Sequence, residues 1–555
     1  MNSLRRCPIT LGFTFSIAII CIACQCQSCL AQDQPVASES LTAKGVIFED
    51  FDGDAKFSDA DQPLANIKVS NGHEIATTDQ NGRYELPLEN DSAIFVIKPS
   101  CYTTRLDENN LPKFYYLHKP NGSPQLKYAG VKPTGPLPQS IDFPLYKQNE
   151  PEDFKILLFG DPQPRNHTEV DYITQDVISE LIGDKSSFGV TLGDIAFDNL
   201  ETFETLNQAI ALIGIPWYNV IGNHDLNLDA TTRADINETF EATYGPSYYS
   251  FDYGQVHFVV LDNIDWAKPS RRKPRYHYTT RFGQRQLEFL KSDLAAIPAD
   301  QMVVLLMHVP VMGASDKAEL FKLIQDRPYC VSISGHTHDH RHLFLGKEDG
   351  FNGKQKHHHI VNVTVSGSWW SGAKNDDGVP HSTMSDGGPN GYSIMNFNKD
   401  GYQLDYKAAG APASEQLRVF VPANIDSDKT QGQAVWVNVY NGSEKSTVEM
   451  SIDGGDWISL DKEMKRDPFY VKIARRDAET LPKPAKPTVC HHLWRGELTT
   501  KLKPGAHLIR VKTTDRHGRT YHAHRSIRVT ASKIPMPSPN PVSYTHLTLP
   551  TTPYV

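Results

Sequence analysis

Five apolar runs in the middle of this 555-residue chain each hand over directly to a polar, metal-competent side chain. Ile156–Phe159 runs into Gly160-Asp161-Pro162-Gln163, Val190–Leu192 into Gly193-Asp194, and Tyr218–Ile221 into Gly222-Asn223-His224-Asp225. Met302–Met307 runs into His308, and Val331–Ser334 into Gly335-His336-Thr337-His338. The runs do not alternate, which predicts strands buried on both faces. Helical patterns lie between several of them, over Val170–Ile182, Thr202–Ile213, Gln284–Ile297 and Lys317–Ile324. Strand alternating with helix predicts an α/β layered domain. In such a sheet, ligands bind at the carboxyl ends of the strands. Glycine beside the polar residue permits a tight turn there.

The residue types suit metal ions. Two carboxylates, three imidazoles, an Asn and a Gln supply mixed oxygen and nitrogen ligands, a set that favours Zn, Mn or Fe over calcium. Two cations about 4 Å apart can activate a bridging hydroxide and stabilise a phosphoryl group.

The motifs GDPQ, GD, GNHD, an isolated His308 and GHTH, in this order, resemble those of the calcineurin-like metallophosphoesterases. Val259-Val260-Leu261-Asp262-Asn263 is similar to that superfamily's strand after the GNH motif. The resemblance covers about half of the chain, near residues 153–408, and implies a layered α-β-β-α core. It further implies a first metal held by Asp161, Gln163, Asp194 and His338, and a second held by Asp194, Asn223, His308 and His336. His224 is expected to protonate the leaving oxygen, with Asp225 orienting it. Gln163 stands where the family usually has His, and a neutral amide oxygen is a weaker ligand. Subfamilies with Asp-x-Gln include enzymes acting on nucleotide diphosphates and a phosphoprotein phosphatase.

The flanking texture is β. Residues 41–147 predict a β-sandwich module and residues 415–531 a second one, which is immunoglobulin-like in its strand and tryptophan pattern. A Pro/Gly-rich linker is expected from Lys132 to about Pro151. In the first module Asp50, Asp52, Asp54 and Asp61 space oxygen ligands much as a calcium loop does, with Ala55 at the sixth position in place of the usual glycine. A solvated acidic turn is the alternative. With both modules, Ser366-Gly-Ser-Trp369-Trp370-Ser-Gly and Asp386-Gly-Gly-Pro-Asn390-Gly-Tyr resemble a bacterial multidomain subgroup of the superfamily. Trp369, Trp370, Asp386 and Asn390 are candidates for a substrate lip, against core packing and a plain turn.

Several polar clusters carry plainer expectations: a solvated rim for His340 and His342, a surface loop for Lys356–His359, no partners for His491 and His492, a satisfied core histidine at His257, a buried Cys330, and a solvated face for Arg271-Arg272-Lys273. The formal net charge is −9 and no long basic run follows the N-terminus, so no nucleic-acid footprint is expected.

Arg5-Arg6, the apolar stretch from Ile9 to Ala23 and Cys29-Leu30-Ala31 predict a signal peptide over residues 1–31, with no transmembrane segment after cleavage; an uncut anchor or a lipidated Cys24 or Cys29 are the alternatives. Export makes the mature protein periplasmic or extracellular. Only Cys101, Cys330 and Cys490 lie beyond that segment, which is no disulfide framework. Residues 542–555 begin VSYTHLTLPTT, which looks like one reading frame of a sequencing adapter.

The functional expectation is metal-dependent hydrolysis of phosphate mono- or diesters. The substrate is then a phosphorylated small molecule or an envelope phosphoester, with the β modules available for glycan or surface docking. A phosphoprotein phosphatase and a non-catalytic surface-binding scaffold are the alternatives.

Overall fold

A computed structural model describes residues 41–267, 277–479 and 486–531. The expected signal peptide, Arg271–Lys273 and the tail from residue 542 lie outside the described residues.

The central domain is built on two sheets. In the first, β1 (Phe154–Phe159), β2 (Phe188–Leu192) and β3 (Trp217–Val220) run parallel. The second contains β4 (Tyr249–Tyr253), β5 (Val256–Val260), β6 (Met302–Leu306), β7 (Cys330–Ser334), β8 (Arg341–Leu345) and β9 (His357–Val361). There β5, β6, β7 and β9 are parallel and β4 and β8 close the edges antiparallel. A long hairpin, β10 (Gly391–Asn398) and β11 (Gly401–Ala408), completes the first sheet beside β1.

Burial explains the non-alternating runs. Ile156 and Leu158 of β1 face the interior shared with the second sheet, while Leu157 and Phe159 face an outer cluster with the helices α1 (His167–Ile173) and α2 (Thr202–Ala211). Beyond the second sheet, α4 (Gln284–Ala295) and α5 (Lys317–Ile324) supply Phe289, Leu290 and Phe321; α3 (Glu238–Tyr244) precedes β4 in the chain. The layering is α-β-β-α, and α1 continues through one π turn, Thr174–Ile178.

Both flanking modules are all-β. In the first, the strand Leu41–Glu49 pairs antiparallel with Arg83–Leu88 and parallel with Phe143–Lys147. The expected linker therefore contains a strand: Phe143 and Leu145 alternate into the core despite the surrounding prolines. Phe95 packs edge-on to Phe289 of α4, and Phe114 packs on Tyr249 of β4, so this module shares its apolar core with the central domain. Buried Lys98 reinforces the joint by donating to Glu150 at 2.9 Å and to the Asp252 carbonyl at 2.7 Å. In the acidic loop, Asp50, Asp52 and Asp54 bring carboxylate oxygens within 4.8 Å of one another, and Ala55 adopts a φ of 62°. Asp61 instead accepts the Phe51 and Ser58 amides.

The C-terminal module is a four-stranded sheet (strands 417–420, 434–439, 490–497 and 461–465) and a five-stranded sheet around 505–514 and 520–530. Val435, Val437, Met450, Trp494 and Val511 fill the space between them. The helix Pro468–Asp477 is an addition that the β texture did not reveal.

Several histidine expectations are corrected. His357–His359 form part of buried β9, not a surface loop. His340 is fully buried and His342 half-buried, so neither belongs to a solvated rim. His492 is buried and bonded to Asp386 at 2.9 Å. Their partners come from residues tens to a hundred positions away, so no local pattern announces them. His257 sits between Asp252 at 2.7 Å and Asp293 at 2.8 Å, a satisfied core histidine. Cys330 is only half-buried, at the start of β7.

Candidate metal centre

The polar residues sit on the first turn beyond parallel strands, and the backbone there is unusual. Asp161, Gln163, Asp194, His336 and His338 all have positive φ, between 24° and 77°. Side-chain-bearing residues avoid this region, and such strain persists only where the surroundings over-determine it. Here the loops lock one another. Both carboxylate oxygens of Asp161 accept the His336 amide at 2.8 and 2.9 Å, and Asp194 accepts the His224 amide at 2.9 Å. The Gln163 amide donates to the Asp194 carbonyl at 2.9 Å. Glycine is needed at Gly193, whose φ is 84° and where a Cβ would run into the His308 ring. At Gly222 a Cβ would fall on Asp194.

One candidate metal position is formed by Asp194, Asn223, His308 and His336. His308 uses its Nδ1 on the Leu192 carbonyl at 2.8 Å, which aims Nε2 inward. That Nε2 lies 3.2 Å from Asp194 Oδ1, 3.2 Å from Asn223 Oδ1 and 3.2 Å from His336 Nδ1. Two oxygens and two ring nitrogens thus converge on one point, which a cation would hold together. Burial pulls the His308 imidazole down, but Asp194 overrides it and pushes it up to about 9. Burial raises the Asp194 carboxyl, and His308 more than offsets this, holding it below the ordinary range. Burial and His308 together push His336 down to about 3. The oxygen–nitrogen donor set fits a divalent transition-metal ion.

The second candidate position, among Asp161, Gln163, Asp194 and His338, is arranged differently. His338 Nδ1 bonds the Gly367 carbonyl at 2.6 Å, leaving Nε2 3.9 Å from Asp161 Oδ1. Gln163 inserts its amide nitrogen between them, 2.8 Å from His338 Nε2 and 3.5 Å from Asp161 Oδ1. Its oxygen accepts the Trp369 indole N–H at 2.8 Å. Burial pushes Asp161 up to about 7 and His338 down to about 4.

His224 borders the centre, half-buried, with Phe197 stacked on its ring at 4.1 Å. Its Nδ1 bonds Asp198 at 2.7 Å, not Asp225. Asp225 is fully buried and accepts the amides of Ile195, Ala196 and Gly222, at 3.1, 2.9 and 2.8 Å. It pins the β2 and β3 loops together, a different task from the expected orientation of His224. The signal for Asp198 was present in Gly193-Asp194-Ile-Ala-Phe-Asp198, a second carboxylate soon after the first.

The expected lip divides. Trp369 lies over His338 with ring centroids 4.3 Å apart and meets Phe197 edge-on at 5.8 Å, so it borders the centre. Trp370 is buried and packs near Tyr172 in the outer cluster. Asp386 is buried and accepts the His340 and Gly388 amides, both at 2.8 Å, besides His492. Asn390 donates to Asp176 at 2.7 Å and to the Val365 carbonyl at 3.0 Å. Trp370, Asp386 and Asn390 therefore hold the framework behind the site. Tyr278, whose hydroxyl is 3.4 Å from His336 Nε2, is a neighbour that no motif indicated.

Comparison with known families matches residues 154–340 to the calcineurin-like phosphoesterases. Residues 52–129 match the N terminal of calcineurin-like phosphoesterase, and residues 359–521 its C terminal. Among curated proteins, tartrate-resistant acid phosphatase type 5 of Mus musculus is 25% identical over 243 residues, covering 40% of this chain and 68% of that one. The Rattus norvegicus protein of the same name is 26% identical over 219 residues, covering 36% and 61%. A solved purple acid phosphatase from yellow lupin (Lupinus luteus) seeds aligns with a TM-score of 0.34 and 15% identity, over 63% of this chain and 68% of that one. The chain belongs to the calcineurin-like phosphoesterases: it is a phosphoester hydrolase that carries the family's N-terminal and C-terminal modules on either side of its metal-binding core.

Proposed function

We propose that the protein hydrolyses phosphate mono- or diesters at a centre of two divalent cations, with His224 as the acid for the leaving oxygen. The convergence of Asp194, Asn223, His308 and His336 on one point carries this reading. Bound cations would supply activation of the attacking water and charge compensation for the phosphoryl oxygens. Asp161, Asp194, Asn223, His308, His336 and His338 would hold them.

The remaining groups do the positioning. Asp198 fixes the His224 ring through Nδ1, and among the described residues none takes Nε2, which is left for the substrate. Phe197, stacked on the same ring, keeps one face dry. A leaving oxygen protonated by a positioned imidazole gains about 10²–10⁴-fold.

Two carriers of substrate class remain, a phosphorylated small molecule and an envelope phosphoester. The curated relatives are phosphatases by name, which supports testing monoesters beside diesters. We place the mature enzyme outside the cytoplasm on the strength of its first 31 residues. Among the described residues no helix is long and apolar enough to cross a membrane.

The test is turnover of bis-p-nitrophenyl phosphate and p-nitrophenyl phosphate after chelation and after return of Mn²⁺, Zn²⁺ or Fe²⁺. Metal-restored hydrolysis that falls about 10²–10⁴-fold in His224→Ala is expected. Folded protein that binds metal but hydrolyses neither ester would point to a narrower natural substrate, and folded protein that binds no metal would favour the binding-scaffold alternative.

A further inference from the structure

Trp369 and Gln163 make the two metal positions unequal. An indole Nε1–H is a donor only, so the group it meets at 2.8 Å is the amide oxygen of Gln163. That contact fixes the orientation of the whole amide. Its nitrogen, which has no lone pair for a cation, is turned towards His338 Nε2 and Asp161 Oδ1. These are two of the atoms a cation there would need. His338 Nε2 is an acceptor, since Nδ1–H is committed to the Gly367 carbonyl. The amide N–H groups of Gln163 therefore stand in for the cation between a carboxylate and an imidazole 3.9 Å apart.

No amide is interposed at the other position, where the hydrogen available is a ring proton of His308 or His336 that an entering cation replaces with no side chain moving. His308 Nε2 faces Asp194, Asn223 and His336 at 3.2 Å each, and Asp194, His308 and His336 offer ligand atoms within 4.8 Å of one another. Trp369 is itself held firmly. Its backbone has a φ of 57°, its ring lies over His338, and its carbonyl accepts Arg165 at 3.3 Å.

We propose that Trp369 is a positioning residue that keeps Gln163 turned as a hydrogen-bond donor. The Asp194/Asn223/His308/His336 position then fills first and tightly, and the Asp161/Gln163/His338 position fills only weakly. This rests on the reading of the site as a two-cation centre. For the second cation to bind, Gln163 must leave His338, by breaking its bond to Trp369 or by swinging out of the site.

The experiment is Mn²⁺ binding to the full chain, followed by equilibrium dialysis and by electron paramagnetic resonance. Hydrolysis of bis-p-nitrophenyl phosphate is measured in parallel. Wild type is expected to take up one tight equivalent with an uncoupled Mn²⁺ signal, and a second equivalent at least about tenfold more weakly. Trp369→Phe removes the indole donor, and Gln163→His supplies a true ligand. Each is expected to tighten the second equivalent about tenfold and bring in the exchange-coupled signal earlier, with the first unchanged. His308→Ala is expected to abolish the tight equivalent.

Two equally tight equivalents in wild type, with metal-dependent hydrolysis, would overturn the inequality and leave the functional reading standing. A second equivalent unmoved by both Trp369→Phe and Gln163→His would overturn the role of Trp369. Folded wild type that takes up no Mn²⁺ and hydrolyses nothing would overturn the functional reading, and the inequality with it.

Discussion

The hydrogen bond between His224 Nδ1 and Asp198 sets both the tilt and the basicity of the ring. Burial lowers the His224 imidazole, and the Asp198 bond together with Asp194 more than offsets this, so it is raised. A leaving-group acid works in its protonated form, so activity is lost as pH rises through this value. Asp198→Asn keeps the shape but removes the charge, and so lowers the imidazole. The expected outcome is a kcat loss of about tenfold or more and an alkaline limb moved to lower pH, with an unchanged urea midpoint. Asp225→Ala should behave in the opposite way. Three buried backbone amides lose their acceptor, at a cost of about 3 kcal/mol, visible as a lower urea midpoint. If Asp198→Asn moved stability and Asp225→Ala moved only the pH profile, the roles assigned to them would be exchanged. Motif order placed the candidate ligands on loops that the fold brings together, because glycine turns at strand ends are local features. It did not reveal which carboxylate meets His224, since that depends on how two loops cross.

At the scale of elements, the segment between β9 and β10 closes the back of the site. A bridge between Gly160 and Thr364 lays it along the end of β1, and Ser366 donates to the Asp161 carbonyl at 2.8 Å. Asn390 ties its far end to the π turn after α1. Asn390→Ala is therefore expected to lower stability by about 1–3 kcal/mol while leaving KM for p-nitrophenyl phosphate unchanged. A raised KM at unchanged stability would restore Asn390 to a substrate lip. Strands β1 and β6 were legible from their nearly unbroken apolar runs, and β2, β3 and β7, which carry Thr191, Asn219 and Ser332, from the glycine turn that follows each. Strand β9 was not, since His357 and His359 are polar. They are accommodated by Ser332, whose Oγ lies 2.7 Å from each ring on the neighbouring β7. Such cross-strand pairing over some twenty-five residues leaves no periodic trace in the sequence. Phe143–Lys147 was hidden for a similar reason, because its partner is the strand Leu41–Glu49 nearly a hundred residues earlier.

Across the whole molecule, the C-terminal module is locked to the core by neutral histidines. Asn441 donates to the Leu404 carbonyl at 2.7 Å, so its oxygen faces His340 at 2.9 Å and His342 at 2.8 Å. His342 Nδ1 meets His358 Nε2 at 2.9 Å, and His358 Nδ1 accepts Arg516 at 2.7 Å. Each bond in this chain has one donor and one acceptor only if His358 and His342 are neutral. A proton on His358 Nδ1 would face the Arg516 guanidinium. Burial holds His342 and His358 well below the ordinary imidazole range, with their imidazole neighbours and Arg516 adding to it. Unfolding returns each to about 6.5. Below that pH the unfolded chain binds the proton and the folded chain does not, so stability falls as pH falls, by about 1.4 kcal/mol per pH unit for each such histidine. The buried carboxyls Asp161 and Asp225, pushed up to about 7, and Glu241, pushed up to about 8, act with the opposite sign over the same window. The measurement is therefore a difference in slope. His358→Gln keeps an oxygen for Arg516 and an N–H for His342 but does not titrate. Between pH 6 and pH 5, urea unfolding should show wild type losing about 1.4 kcal/mol more than His358→Gln. Equal slopes would mean that His358 is not the acid-labile link between the core and its C-terminal module.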